Sequence, residues 1–260
     1  MKISSENFEK FLNIISVVNS CCGFLVIRDS KIQMKSSNNS GYVFVDLLKS
    51  GILTEKISII LDNPKIFIER MKMFPKDKED IEFSVDEDGM ILVENPKMSS
   101  YMYSADGNIK KYGNAFVSDE NWKVYDEIFS TDKKFSFPLD GDTFKKINNF
   151  IKFCGSTSIH FNIDKKRNLS VIISADHNVF SKKNSSGEKT IIKNVYSVEN
   201  EKIPESKLSV NCLLFTTPME EIVLNSFYFI DGENDCGLIQ LQGKISGIEV
   251  NIFQVGFISI

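Results

Sequence analysis

The order strand, helix, strand, strand, strand returns four times along the 260 residues, and this internal repetition constrains the fold more than any single segment does. The first unit opens on residues 1–3 and a helix whose face carries Phe8, Phe11, Leu12, Ile15 and Val18, with Ser5 as the expected N-cap. Strands are expected at 24–28, 31–35 and 42–48. The second unit begins at 56–61, where Asp62 or Asn63 caps and Pro64 takes the first turn of a helix that groups Phe67, Met71 and Phe74. Strands at 80–85, 90–94 and 99–104 follow, the first two joined by a tight turn at Asp88-Gly89. In the third unit a strand at 133–137 leads through Asp140 or Asp142 into a helix bearing Phe144, Ile147, Phe150, Ile151 and Cys154, then into strands at 158–163, 169–175 and 190–198. The fourth has a strand at 207–215, a short helix from Pro218 through Leu224, and strands at 226–231, 238–242 and 248–254. Even a turn agrees, since Asp88-Gly89 before Met90-Ile91-Leu92-Val93 has its counterpart in Cys236-Gly237 before Leu238-Ile239-Gln240-Leu241.

A short helix with one apolar face must lie on sheet, and two units supply enough strand to cover two helices. The expected class is therefore α+β, with two domains, 1–106 and 133–260, each built from two βαβββ units. Between them residues 107–132 show no strong period and mix Gly, Asn, Ser and charges around Trp122, which reads as a connector lying across the surface. Each domain leaves outermost strands unpaired, and closing a ring by pairing them with another subunit is one way to cover such edges.

Composition limits the function classes. The formal charge of −4 argues against a chain that holds nucleic acid simply as a polycation, so any such contact is local. The five cysteines, Cys21, Cys22, Cys154, Cys212 and Cys236, lack CxxC spacing and suggest neither a disulfide framework nor a metal site, and a reducing cytoplasm is the expected setting. Residues 8–18 carry Glu9, Lys10 and Asn13 at helical spacing, unlike a signal peptide, and no run of 18 apolar residues occurs, so no membrane partner is expected. There is no GxxxxGK[ST] phosphate loop. Only His160 and His177 are available for acid–base work, and neither has a nucleophile motif beside it, so no catalytic residue, cofactor or metal is assigned.

The charge is segregated. Residues 143–167 hold Lys145, Lys146, Lys152, Lys165, Lys166 and Arg167 against Asp164 alone, whereas residues 196–236 hold eight acids and two lysines. On the third helix Lys145, Asn149 and Lys152 lie opposite Phe144, Ile147 and Ile151, with Lys146 on the flank. On the second helix Lys65 and Lys72 face away from Phe67 and Phe74 with Glu69 among them, and on the first only Lys10 is suitably placed. Lysines occupy any solvated helix face, so the stripe alone defines no site. Met219-Glu220-Glu221 places acid on the expected fourth helix.

The run Gly237-Leu238-Ile239-Gln240-Leu241-Gln242-Gly243-Lys244, followed by Ile248-Glu249-Val250-Asn251-Ile252-Phe253, resembles the paired closing strands of a sliding DNA clamp of the proliferating cell nuclear antigen and phage type. Phe135-Ser136-Phe137-Pro138-Leu139 running into Phe144 is similar to the start of a clamp's second domain, and the fourfold βαβββ order carries the resemblance over nearly the whole chain. The resemblance implies a homotrimeric ring with helices lining the hole, which encircles duplex DNA, tethers a DNA polymerase, is loaded by a separate clamp loader and catalyses nothing. It implies DNA-facing roles for Lys10, Lys65, Lys72, Lys145, Lys146, Asn149 and Lys152, and a phage or viral origin in a host cytoplasm. By position it also implies a partner-binding pocket bordered by Tyr112, Phe116, Trp122, Tyr125 and Ile128 of the connector and by Phe257 and Ile258. The alternatives are a clamp-like viral or phage transcription or scaffold protein that never encircles DNA, and a structural assembly protein.

Overall fold

In the computed structural model, the described residues are 1–35, 41–74, 80–105, 115–130, 135–154, 158–163, 168–174, 189–197, 206–211, 219–231 and 234–259. They fall into two compact units. One comprises Met1–Asp119 with Lys244–Asn251, the other Glu120–Gly243 with Ile252–Ile260.

The first unit contains β1 (Lys2–Ile3), α1 (Ser5–Cys22), β2 (Leu25–Ile27), β3 (Lys31–Lys35), β4 (Gly41–Asp46), β5 (Ile59–Leu61), α2 (Pro64–Met71), β6 (Ile81–Val85), β7 (Met90–Asn95) and β8 (Met98–Tyr103). Ser4 rather than Ser5 caps α1, its side chain accepting from the Asn7 N–H at 3.2 Å, and Gly23 closes the helix in the left-handed region at φ 75°. The buried surface of α1 is wider than one stripe, because Ile14 and Val17 are buried along with Phe8, Phe11, Leu12, Ile15 and Val18. Among the helix side chains described, those exposed form a strip at Glu6, Glu9, Asn13 and Ser16. Asn63 caps α2, accepting from Ile66 N–H at 3.2 Å ahead of Pro64, and the helix buries Phe67, Ile68 and Met71 where it packs beside α1. Asn63→Ala is expected to cost about 1 kcal/mol, read as a lower thermal midpoint, with Asn63→Asp retaining most of it.

Strands β1, β6, β7 and β8 form one antiparallel sheet in that order, β2 pairs with β5, and β3 with β4. Asp86 sets the turn between β6 and β7, its carboxylate accepting from Asp88 N–H and Met90 N–H at 3.0 and 2.7 Å, with Gly89 at φ 76°. Ala115 and Val117 pair with β3 through Lys35 N–H to the Ala115 carbonyl at 2.8 Å and Val117 N–H to the Gln33 carbonyl at 2.7 Å.

The second unit holds α3 (Asp119–Ser130), β9 (Phe135–Leu139), α4 (Gly141–Cys154), β10 (Ser158–Ile163), β11 (Asn168–Ser174), β12 (Lys189–Ser197), β13 (Ser206–Asn211), β14 (Glu220–Asp231), β15 (Asn234–Ile245) and β16 (Ile248–Ser259), apart from Asp119 and the turn-proximal ends of β15 and β16. Its strand order is β12-β11-β10-β13-β16-β15-β14-β9. Asp140 caps α4, which packs on β11 and β14 through a buried row of Phe144, Ile147 and Ile151. Ser136 Oγ donates to Asn225 Oδ1 at 2.6 Å and Asn225 Nδ2 donates to Gln240 Oε1 at 2.9 Å, a polar ladder across β9, β14 and β15. Asn225 is fully buried, so a slipped register would leave its amide without these partners.

Two sequence expectations are corrected. Residues 220–224 are not helical: they open the long strand β14, with Ile222 and Leu224 opposite Leu139 and Phe137 of β9. A helix of some seven residues nucleates poorly, whereas Ile222 and Val223 favour a strand that gains a ladder partner; Pro218 itself lies outside the described residues. Residues 119–130, read as part of a connector without a period, form the helix α3. Its inner face is Trp122, Tyr125, Ile128 and Phe129, while Asp119, Glu120, Lys123, Asp126 and Glu127 lie outward. No helix among the described residues is long and apolar enough to cross a membrane.

Candidate functional site

Two of the described helix faces present more than one cation to solvent. On α2 the exposed residues are Lys65, Ile66, Glu69 and Arg70, with Lys72 and Met73 in the turn beyond. A helix that buries 67, 68 and 71 must turn these positions outward, and Arg70, which the charge pattern had not singled out, joins Lys65 and Lys72 there. The same face carries two apolar side chains, Ile66 at 45% and Met73 at 69% exposure. On α4 Lys145, Lys146 and Asn149 are exposed opposite the buried row. The Lys152 side chain and residues 164–167 lie outside the described residues.

The α4 face begins at a charged cap. Thr143 donates both its hydroxyl (2.6 Å) and its backbone N–H (2.8 Å) to Asp140, and these bonds, with a smaller contribution from Lys146, hold the Asp140 carboxyl below the usual aspartate range. The α1 strip differs. Lys10 Nζ donates to Glu6 Oε1 at 2.6 Å one turn away, and that bond and charge hold the Glu6 carboxyl below its usual range. Lys10 is thus neutralised locally, beside the exposed Glu9.

The connector residues separate into two groups. Phe116 lies in the first unit, bridged to Met34 of β3, with the Arg28 guanidinium 4.4 Å over its ring. Trp122 and Ile128 are buried in the second unit, where Trp122, Tyr125 and Phe129 gather around Phe253 of β16 at ring-centroid distances of 5.2, 6.2 and 4.9 Å. These rings fill one another's space, so as the structure stands Trp122 is a core residue of its unit. Tyr112 and the side chains of Phe257 and Ile258 lie outside the described residues. His160 is fully buried in β10, and His177 lies outside the described residues. Among the described residues no group of three His, Cys, Asp or Glu side chains could hold a metal ion.

No family model and no curated protein sequence matches the chain. Solved structures do. The chain aligns over its full length with 98% of the chain in the structure of the C-terminal region of FEN-1 bound to A. fulgidus PCNA, at TM-score 0.61 and 10% identity. The beta subunit from the DNA polymerase of Streptococcus pyogenes aligns with 99% of this chain at TM-score 0.58 and 10% identity, and the DNA polymerase III beta chain of Streptococcus pneumoniae with 98% at TM-score 0.58 and 13% identity. This chain spans 64% of the length of each beta subunit, against nearly the whole of the archaeal chain. Identities this low carry architecture alone. With helices and sheets in that arrangement along its entire length, the chain has the sliding-clamp fold.

Proposed function

We propose that three copies of the chain close into a ring around duplex DNA and tether a DNA polymerase, acting as a processivity factor without bond chemistry. The observation that carries this reading is the clamp fold spanning the whole chain at the length of a single archaeal clamp chain. It is supported by cation-bearing outer faces on α2 and α4 in a protein of net charge −4. Such faces attract phosphate without binding it tightly, and topology supplies retention, so sliding stays possible. In this reading residues 1–106 and 133–260 are the clamp domains and 107–132, containing α3, the connector. Lys65, Lys72, Lys145, Lys146, Asn149 and Lys152 face DNA, Lys10 less effectively because of Glu6, and a separate loader opens the ring in the cytoplasm of a host cell. Polymerase and other partners bind near the connector and the C-terminal strand, at Tyr112, Phe116, Tyr125, Phe257 and Ile258, with the buried Trp122 and Ile128 supporting that surface from the core.

Ring closure uses the sheet edges. Among the described residues the two-residue β1 and β8 end one sheet, β12 and β9 end the main path of the larger one, whose branch from β16 through β4 ends at β3, and β9 carries Pro138, which lacks an N–H. The nine-residue β12 is the better partner for β8 of a neighbouring copy. Light scattering at micromolar concentration is expected to give about three times the 29.6 kDa chain mass. A strictly monomeric chain across accessible concentrations would overturn the ring.

A further inference from the structure

Where the incoming connector crosses the first unit, Arg28, Lys49 and Lys56 stand around a pocket of 350 Å³ walled by Phe116 and Leu48. We infer that this pocket binds an acidic peptide segment of a partner protein, one that carries a carboxylate beside an apolar side chain. The charge state of the lining supports it. Asp46 is engaged by its own turn, accepting from Leu48 N–H at 3.1 Å and Lys49 N–H at 2.8 Å, and Asp119 lies 3.7 Å from Lys31. Among the described residues no carboxylate lies within ion-pair distance of Arg28, Lys49 or Lys56. The lining thus carries Arg28, Lys31, Lys49 and Lys56 against Asp29, Asp46 and Asp119, a net charge of +1, with Arg28, Lys49 and Lys56 the cations outside any ion pair among the described residues.

Arg28 is held for this task. Its guanidinium lies over the Phe116 ring at 4.4 Å, and Phe116 is fixed by main-chain bonds of Ala115 and Val117 to β3. A stacked guanidinium has its face covered but its N–H edge free, the geometry that takes a carboxylate through two parallel bonds. Phe116 and Leu48 offer an apolar wall that a peptide side chain uses and a phosphate backbone does not. A continuous polyanion would also meet Asp29, Asp46 and Asp119 at the rim, whereas one peptide carboxylate need not. The pocket shares no residue with α1, α2 or α4. The proposal rests on the partner-binding reading of Phe116 but not on DNA encirclement, and its test reads peptide binding directly.

The full chain, labelled with ¹⁵N, is titrated with the blocked peptide acetyl-Glu-Leu-Phe-Glu-amide and with its Gln-Leu-Phe-Gln counterpart. The acidic peptide is expected to shift the amides of Leu48, Lys49 and Ser118, and the neutral one to bind about tenfold more weakly or worse, as loss of a charge-assisted hydrogen bond implies. Lys49→Glu/Lys56→Glu, both at exposed positions, is expected to abolish the shifts while the remaining spectrum stays native. Arg28→Lys, which keeps the charge and removes the planar fork, is expected to weaken binding; Lys56→Gln provides a milder second variant. Equal binding of the two peptides, unchanged binding by the lysine variants, or a short DNA duplex shifting these amides where the acidic peptide does not, would each overturn the proposal.

Discussion

The Lys65→Glu/Lys72→Glu/Lys145→Glu variant is expected to fold and assemble as the wild type does, yet to lose retention on circular DNA and polymerase processivity by at least about tenfold. All three side chains are exposed, and none lies on the buried row of Phe67, Ile68 and Met71 or of Phe144, Ile147 and Ile151, so stability should move little. The electrostatic effect is larger. Each chain changes by six charge units, and three chains would apply that change around one duplex. Loss of cation–phosphate contacts should flatten the salt dependence of DNA association as well as weaken it. A charge-matched control, Lys2→Glu/Lys97→Glu/Lys123→Glu, alters exposed lysines outside both helix faces and should leave retention near the wild-type level. If both triple variants lose retention equally, overall charge rather than these faces governs DNA association. If neither does, α2 and α4 carry ordinary solvated lysines and the DNA-facing assignment fails.

The parts legible in the sequence were those set by local chemistry. Asn63-Pro64 marks a helix start whatever surrounds it, and the rows at 67, 71, 74 and 144, 147, 151 follow from helical period, whereas the burial of Ile68 was not read. The outward position of Lys65, Lys72, Lys145, Lys146 and Asn149 follows from the same period, and Lys10 with Glu6 one turn earlier is a pair that spacing alone could have flagged. What resisted reading was set at long range. Met219-Glu220-Glu221-Ile222 after a proline resembles a helix start, and only the pairing of Ile222 with Leu139, far away in the chain, makes it strand. In α3 the exposed Val124 blurs the period of Trp122, Tyr125, Ile128 and Phe129, and their burial depends on Phe253, distant again. Arg28 and Phe116 likewise meet only because the residues around Phe116 add themselves to the edge of β3.

Tyr101→Pro is expected to convert the assembly to monomers while leaving each chain folded, and with ring closure gone processivity should fall to the level without the protein. The Ser104 N–H donates to the Gly89 carbonyl at 2.7 Å, and antiparallel ladders alternate, so the main-chain groups of Ser100 and Met102 turn towards β7. Those of Ser99, Tyr101 and Tyr103 turn outwards, on a strand that has no further neighbour among the described residues. Tyr101 and Tyr103 are 60% and 72% exposed, an unusual display of aromatic surface on an open edge. Proline at position 101 removes an outward N–H and sets its ring against any strand that docks there, but leaves the β7 ladder intact, the one setting in which a strand tolerates proline. One lost hydrogen bond of about 1 kcal/mol at each of three interfaces, with a steric clash added, is enough to shift a ring at micromolar concentration towards free chains. Tyr101→Thr keeps the N–H and a β-branched side chain, so it should remain assembled if main-chain pairing holds the ring. Should Tyr101→Thr dissociate as completely as Tyr101→Pro, the tyrosine side chain rather than the ladder makes the interface. Should Tyr101→Pro remain trimeric with native melting, β8 is not the closing edge, and the pairing of β8 with β12 is wrong.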